Sequence, residues 1–190
     1  MSKKAAAPML IALVLCAATA ASAQDRKDLQ IFRDISDQVN RYTQFTIFDN
    51  VEASIAEGRV VLNGSVTMPY KKNDIERRVR SVDGVQALDN RIEVLPVSQF
   101  DDELRFRIAR AIYGNSVFWH YASMVNPPIH IVVNRGRVRL TGVVQSNVER
   151  MLARSLATGF GSFEVKNDLK TDEEVRTELE RIGAADLTVW

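Results

Sequence analysis

Two histidines, His120 and His130, are all the imidazole in this chain, and its one cysteine, Cys16, lies in an apolar run near the start. A serine hydrolase would have to recruit one of these histidines as its base. Neither stands in a recognisable motif. Gly159-Phe160-Gly161-Ser162-Phe163 lacks the spacing of a nucleophile elbow, and His130 falls in an alternating segment that reads as a sheet-face position. Two histidines without a mature cysteine or close paired carboxylates also give no ligand spacing for zinc. The glycines fall at turns rather than in a phosphate-cradling loop. These residue types call for no enzyme, no metal, no cofactor and no small-molecule substrate.

Charge and aromatic surface are the remaining chemistry. Turning the apolar stripe of residues 71–82 inward sends Arg77 and Arg80 outward, with Lys72 and Arg78 on the flanks. The same operation on 147–158 sends Arg150 and Arg154 outward, and Arg135, Arg137 and Arg139 share one side of a strand. Arginines so placed suit an anionic membrane surface. Ordinary solvated faces are the blander reading, and Asp74, Glu76 and Glu149 dilute the pattern. Phe118, Trp119 and Tyr121 form a second candidate, a surface for an envelope protein partner or a chaperone client, although such residues more commonly cover the open end of a small core. The oligomeric state has no signature in the sequence.

The elements that position these residues occur twice. Val51 to Val66 reads Val-Glu-Ala-Ser-Ile-Ala-Glu-Gly-Arg-Val-Val-Leu-Asn-Gly-Ser-Val, and 78 residues later Ile129 to Val144 repeats its Gly, Arg, Val, Leu, Gly and Val in order. Upstream, Ile31, Ile35 and Val39 answer to Leu104, Ile108 and Ile112. Downstream, Ile75 and Val79 answer to Leu152 and Leu156, and Gly84 and Asn90 to Gly161 and Asn167. A repeat this long suits two tandem domains rather than a solenoid. The first copy reads as a helix over 28–41, a hairpin of 51–56 and 59–66, a helix over 71–82 and a strand over about 86–94. The second reads as a helix over 102–113, strands 129–134 and 137–144, a helix over 147–158 and a strand over 162–169. Gly58, Gly64, Gly84, Gly136, Gly142 and Gly161 are the structural turn positions. The expected fold is α/β of the α+β kind: two αββαβ units, each a three-stranded sheet packed by two helices. Their bounds are 25–96 and 100–172, joined at Leu95-Pro96-Val97, with a helix and tail over 173–190 opened by the capping-box spacing Thr171-Asp172-Glu173-Glu174.

Residues 1–23 have the form of a secretory signal peptide. Lys3 and Lys4 precede an apolar stretch from Met9 to Ala20, and Ala21-Ser22-Ala23 presents small residues for cleavage before Gln24. The apolar stretch is shorter than the ~20 residues needed to span a bilayer. Leu15 stands where a lipid-anchoring signal would place a small residue before Cys16. Losing Lys3 and Lys4 from 25 basic residues leaves 23 against 24 acidic, so global charge gives no reason to expect nucleic acid.

The order helix, strand, strand, helix, strand resembles the BON domain, a family named for bacterial osmotic-stress and nodulation proteins. The residues that carry the likeness are Gly58-Arg59-Val60-Val61-Leu62-Asn63-Gly64 with Val82-Asp83-Gly84-Val85-Gln86-Ala87-Leu88-Asp89-Asn90, and Gly136-Arg137-Val138-Arg139-Leu140-Thr141-Gly142 with Gly161-Ser162-Phe163-Glu164-Val165-Lys166-Asn167. The second copy departs in its glycine register, with Gly159-Phe160-Gly161-Ser162 in place of a glycine-valine pair. The resemblance implies a non-catalytic periplasmic or envelope protein, similar to proteins that contact phospholipid surfaces or act as stress-related chaperones. The exported protein is expected to have the intact mass of a chain beginning at Gln24, and retention of Met1 to Ala23 would refute that reading.

Overall fold

The computed structural model describes residues 15–184, with side chains over 27–178 and at Glu180. Residues 1–14 of the expected signal peptide and the tail from 185 to 190 lie outside the described residues. Helix α1 spans Leu15–Asn40. It starts thirteen residues before the helix expected over 28–41, because the alanine-rich run from Leu15 to Lys27 contains no breaker.

In the first copy, β1 (Asn50–Ala56) and β2 (Arg59–Val66) form an antiparallel hairpin. Helix α2 (Pro69–Arg80) crosses over to β3 (Ala87–Asn90) and β4 (Glu93–Val94), which both pair parallel with β2. The expected single strand over 86–94 is thus broken, and the sheet counts four strands instead of three. Asn90 Oδ1 accepts from the Ile92 N–H at 3.1 Å, which turns the chain and puts Ile92 in the core at 1% exposure. Ile31, Ile35 and Val39 of α1 close on Val60, Leu62 and Val66 of β2 and on Ile75 and Val79 of α2.

The second copy repeats this plan. Helix α3 (Gln99–Tyr113) leads through a 3₁₀ turn (Ser116–Phe118) and the short helix α4 (Trp119–Ala122) to β5 (Ile129–Asn134) and β6 (Arg137–Val144). Helix α5 (Asn147–Thr158) then returns to β7 (Glu164–Thr171), parallel to β6. Ser98 and Ser146 cap α3 and α5, accepting from Asp101 N–H and Glu149 N–H at 3.3 Å. Helix α6 (Asp172–Ala184) opens with the expected capping box: Thr171 N–H donates to Glu174 at 2.9 Å and Glu174 N–H to Thr171 Oγ1 at 3.2 Å.

Each hairpin turn is held from outside the sheet. Glu57 (φ 53°) and Gly58 (φ 73°), like Arg135 (φ 51°) and Gly136 (φ 75°), place both central residues in the left-handed region, as a type I′ turn requires. Asp28 accepts from the N–H groups of Glu57 and Gly58 at 2.8 and 3.0 Å, and Asp101 from those of Arg135 and Gly136 at 2.7 and 2.8 Å. A carboxylate on each lead helix, Asp28 in the middle of α1 and Asp101 in the first turn of α3, therefore offsets the strain of a glutamate or an arginine at positive φ. All six turn glycines have positive φ. Gly142 is the tightest, since a Cβ there would stand 1.8 Å from the Pro128 carbonyl oxygen.

The two copies meet through residues 45–52 and through Asn126, whose Nδ2 donates to the Asn40 carbonyl at 3.0 Å. Ile131 N–H donates to the Ile47 carbonyl at 2.7 Å, Thr141 Oγ1 to Asn50 Oδ1 at 3.0 Å, and Arg139 pairs with Glu52 at 3.2 Å. Phe48 packs onto the second core, edge-on to Phe106 at 5.2 Å. His130 Nδ1 donates to the Asp49 carbonyl at 2.6 Å with Phe45 beside its ring, so the neutral ring carries its proton on Nδ1.

Two predictions follow from these constraints. Gly142→Ala forces both a left-handed backbone and a backbone clash, and is expected to cost on the order of 3 kcal/mol. Gly159→Ala, with open space around it, should stay within about 0.5 kcal/mol; denaturant unfolding of both variants decides. Burial holds His130 below the usual imidazole range. Its contribution is therefore complete above the ordinary value of ~6.5 and is lost as pH falls through and below it. The unfolding midpoint should drop less between pH 7.5 and 5 in His130→Gln than in the native chain, and equal drops would refute the assignment.

Candidate binding surfaces

The arginines of the two crossover helices are not equivalent. On α2, Arg77 pairs with Asp74 at 2.7 Å, Arg80 with Glu76 at 2.7 Å, and Arg78 lies 4.8 Å over the ring of Tyr42. Asp74 also accepts from the Tyr42 hydroxyl at 2.7 Å. On α5, Arg150 is 26% exposed and makes two bonds to Glu174 of α6, at 2.8 and 2.9 Å. The Thr171 N–H, and after it the bonds from Arg150, hold the Glu174 carboxyl below the usual range. Arg154 is exposed and makes no ion pair among the described residues.

The expected equivalence of Arg77 with Arg154 does not hold, because α2 and α5 match at an offset of 78 residues: Pro69–Arg80 answers to Asn147–Thr158, and buried Lys71, Ile75 and Val79 answer to buried Glu149, Ala153 and Ala157. The deletion falls after the helices, so Arg154 stands where the first copy has Glu76. The positions three and four residues from Arg154 on α5 are Arg150, Met151, Ala157 and Thr158, none of them acidic. Val148 and Met151 are 75% and 62% exposed, and with Arg154 they share one side of α5 opposite the buried Ala153 and Ala157. That apolar and cationic stripe depends on Val148 and Met151, which the arginine pattern alone did not single out. Their appearance at i and i+3 off the core stripe was the available signal.

The aromatic candidate does not form one surface. Phe118 is fully buried and Tyr121 is 4% exposed, both in the second core; only Trp119 faces solvent, at 72%. The Tyr121 hydroxyl donates to Glu149 at 2.8 Å and accepts from Gln145 N–H at 2.9 Å, which ties α4 to the start of α5. Burial pushes its phenol up to about 12. The longer segment of the second copy thus caps a core, and Phe118 and Tyr121 are unavailable to a partner.

Between the two copies lies a half-open cleft of about 750 Å³. One wall is Phe32 and Val39 of α1 with Phe45, Val51 and Ala53; the other includes Arg139, Thr141, Asp168 and Lys170 on the open face of the second sheet. Arg139 is shared between Asp168 at 2.5 Å and Glu52, and with Lys166 it keeps the Asp168 carboxyl below the usual range against the opposing effect of burial. Lys170 is exposed and makes no ion pair among the described residues. His120 lies against the ring of Tyr121, far from a ligand set: among the described residues no three histidine, cysteine or acidic groups converge as a metal site would need. Among them, also, no helix is long and apolar enough to cross a membrane.

Comparison with known proteins bears on this plan. The BON domain model matches residues 27–96 and again residues 101–173. No curated protein matches the chain. Among solved structures, CdsD, a structural protein of the type III secretion system of Chlamydia trachomatis, is 16% identical over 80% of this chain and 97% of its own, with a TM-score of 0.29. Its C-terminal domain is 13% identical over 72% of this chain and 96% of its own, with a TM-score of 0.26. BON domains are associated with membrane and phospholipid binding and are generally non-catalytic. The two matches together span most of the sequence and coincide with the two sheet-and-helix units, so the chain belongs to the BON-domain family as a tandem pair.

Proposed function

We propose that this protein is a non-catalytic binding protein of the bacterial cell envelope that docks on anionic phospholipid through the outer face of α5. The observation that carries the reading is the exposure of Val148 and Met151 beside Arg154, which has no ion pair among the described residues. Apolar side chains that enter the headgroup boundary, with a cation that meets lipid phosphate, make an interfacial helix. Export behind residues 1–23 would bring this face to an envelope membrane. Arg150 adds to the field only as far as lipid phosphate competes with Glu174, and Arg77 and Arg80 must likewise be released from Asp74 and Glu76. The four arginines therefore contribute unequally. A basic residue near an anionic surface is worth about 1 kcal/mol, and burying each apolar side chain adds a similar or larger amount.

Co-sedimentation with vesicles of phosphatidylglycerol and of phosphatidylcholine, at low and high salt, tests the assignment. The native chain should prefer the anionic vesicles and lose affinity as salt rises. Val148→Ser with Met151→Ser and Arg154→Gln should lower binding more than tenfold, whereas Arg77→Gln with Arg80→Gln should change it less than threefold. Equal binding by the triple variant and the native chain, or no preference for anionic vesicles, would refute α5 as the docking face.

A further inference from the structure

The two copies finish the outer edge of their hairpins differently. In an antiparallel pair the residues alternate between those that bond the partner strand and those whose N–H and C=O point away. The two-residue turns make Ala56↔Arg59 and Asn134↔Arg137 the first bonded pairs. It follows that Val51, Ala53 and Ile55 of β1, and Ile129, Ile131 and Val133 of β5, direct their backbone groups outward. On β5 this edge is occupied. Ile131 N–H donates to the Ile47 carbonyl at 2.7 Å, and the Tyr113 hydroxyl donates to the Ile129 carbonyl at 2.5 Å and accepts from its N–H at 3.2 Å.

Ala53 is the repeat equivalent of Ile131, and Val51 of Ile129. Neither has a backbone partner on that side among the described residues. Asn40 stands where the second copy has Tyr113, and its side chain turns back to Ser36 at 3.3 Å. The open groups face the cleft between the copies, since Val51 and Ala53 line it. Native edges are commonly guarded by lysine, proline or a bulge. The free edge strand β7 carries Lys166 and Lys170; β1 has no lysine or proline, and its one charged residue, Glu52, is engaged by Arg139 of the second copy.

We propose that the cleft receives an extended segment of a partner polypeptide, which adds to β1 as a further strand and bonds the backbone of Val51 and Ala53. Strand addition takes affinity from main-chain bonds and specificity from alternate side chains. Side chains of the added strand alternate between the α1 wall, with Phe32 and Val39, and the wall that carries Arg139 and Lys170. Apolar residues suit the first wall. Acidic residues suit the second, where Lys170 has no ion pair among the described residues. The recognised sequence is therefore short, extended, and alternately apolar and acidic.

The test uses the full chain and a fluorescein-labelled peptide of alternating valine and glutamate, eight residues long, followed by fluorescence anisotropy and amide hydrogen exchange. Saturable binding is expected, with exchange at Val51 and Ala53 slowed at least tenfold. Methylating alternate peptide nitrogens should weaken binding at least tenfold, as should Ser36→Trp, which fills the cleft from an exposed helix position. Ala53→Pro removes the N–H that faces the cleft and should act the same way; if it does not fold, Ser36→Trp and the methylated peptide still decide. Lys170→Glu should weaken the acidic peptide several-fold and leave a valine-glutamine version unchanged. No saturable binding up to millimolar peptide, indifference to backbone methylation, or protection away from Val51 and Ala53 would overturn the proposal. So would a dimer in sedimentation that Ser36→Trp dissolves, which would make a second copy the occupant, or displacement of the peptide by phosphatidylglycerol vesicles from a chain already lacking the α5 stripe.

Discussion

The carboxylate of Asp49 has no exposed surface and accepts five hydrogen bonds: from the N–H and hydroxyl of Thr46, the N–H and hydroxyl of Thr67, and the ammonium of Lys71 at 2.7 Å. Lys71 is itself buried and donates again to Thr67 at 2.8 Å. A buried ion pair of this kind contributes little as attraction alone, because removing two ions from water costs several kcal/mol each. Its effect is positional. With every lone pair engaged, residues 46–49 have one arrangement, anchored to β2 and to the first turn of α2. Three of the groups that meet the second copy, the carbonyls of Ile47 and Asp49 and the ring of Phe48, are on this segment, and Asn50 and Glu52 follow directly from it. The junction between the copies, and the cleft beside it, rest on that carboxylate.

A duplicated unit also shows which features the fold demands and which each copy has altered. Asp28 and Asp101 do the same work at the two hairpin turns, so the device belongs to the fold. The cores likewise answer to each other, helix to helix and strand to strand. The crossover helices and the hairpin edges differ. The first copy spends its α2 arginines on local acids and leaves its β1 edge open. The second completes its β5 edge with Tyr113 and Ile47 and leaves Arg154 beside exposed Val148 and Met151. Both candidate binding features are departures from a plan that is otherwise shared.

The shared plan was readable from the sequence because period and turn chemistry act locally. Alternation placed β1, β5 and β6 to within a residue, the spacing Thr171 to Glu174 announced the cap of α6, and glycine marked each turn. Arg77 and Arg80 had visible acids three or four residues away. Arg150 did not, for its partner Glu174 lies 24 residues on and meets it only through the packing of α6. The junction was equally hidden. Residues 42–49 have neither helical nor strand period, and nothing local says that Phe48 belongs to the other copy's core or that Asp49 is buried. Phe118 and Tyr121 were seen as a cluster, but their burial depends on which end of the sheet is open, which is a tertiary fact.

The two binding readings are sterically compatible because they use opposite faces of one sheet. In β6, Val138, Leu140 and Val144 point into the core beneath α3 and α5, while Arg139, Thr141 and Val143 point to the cleft. Helix α5 buries Ala153 and Ala157 against that core and turns Val148, Met151 and Arg154 outward. The helix layer and the sheet therefore separate the lipid face from the cleft, a distance of roughly one 10 Å packing layer plus the helix itself. A chain docked through α5 holds the β1 edge on the side away from the bilayer, where an extended segment can reach it from water. Because the first copy is fixed to the second by the Asp49 segment, this disposition is a property of the folded chain and needs no further contact with the membrane.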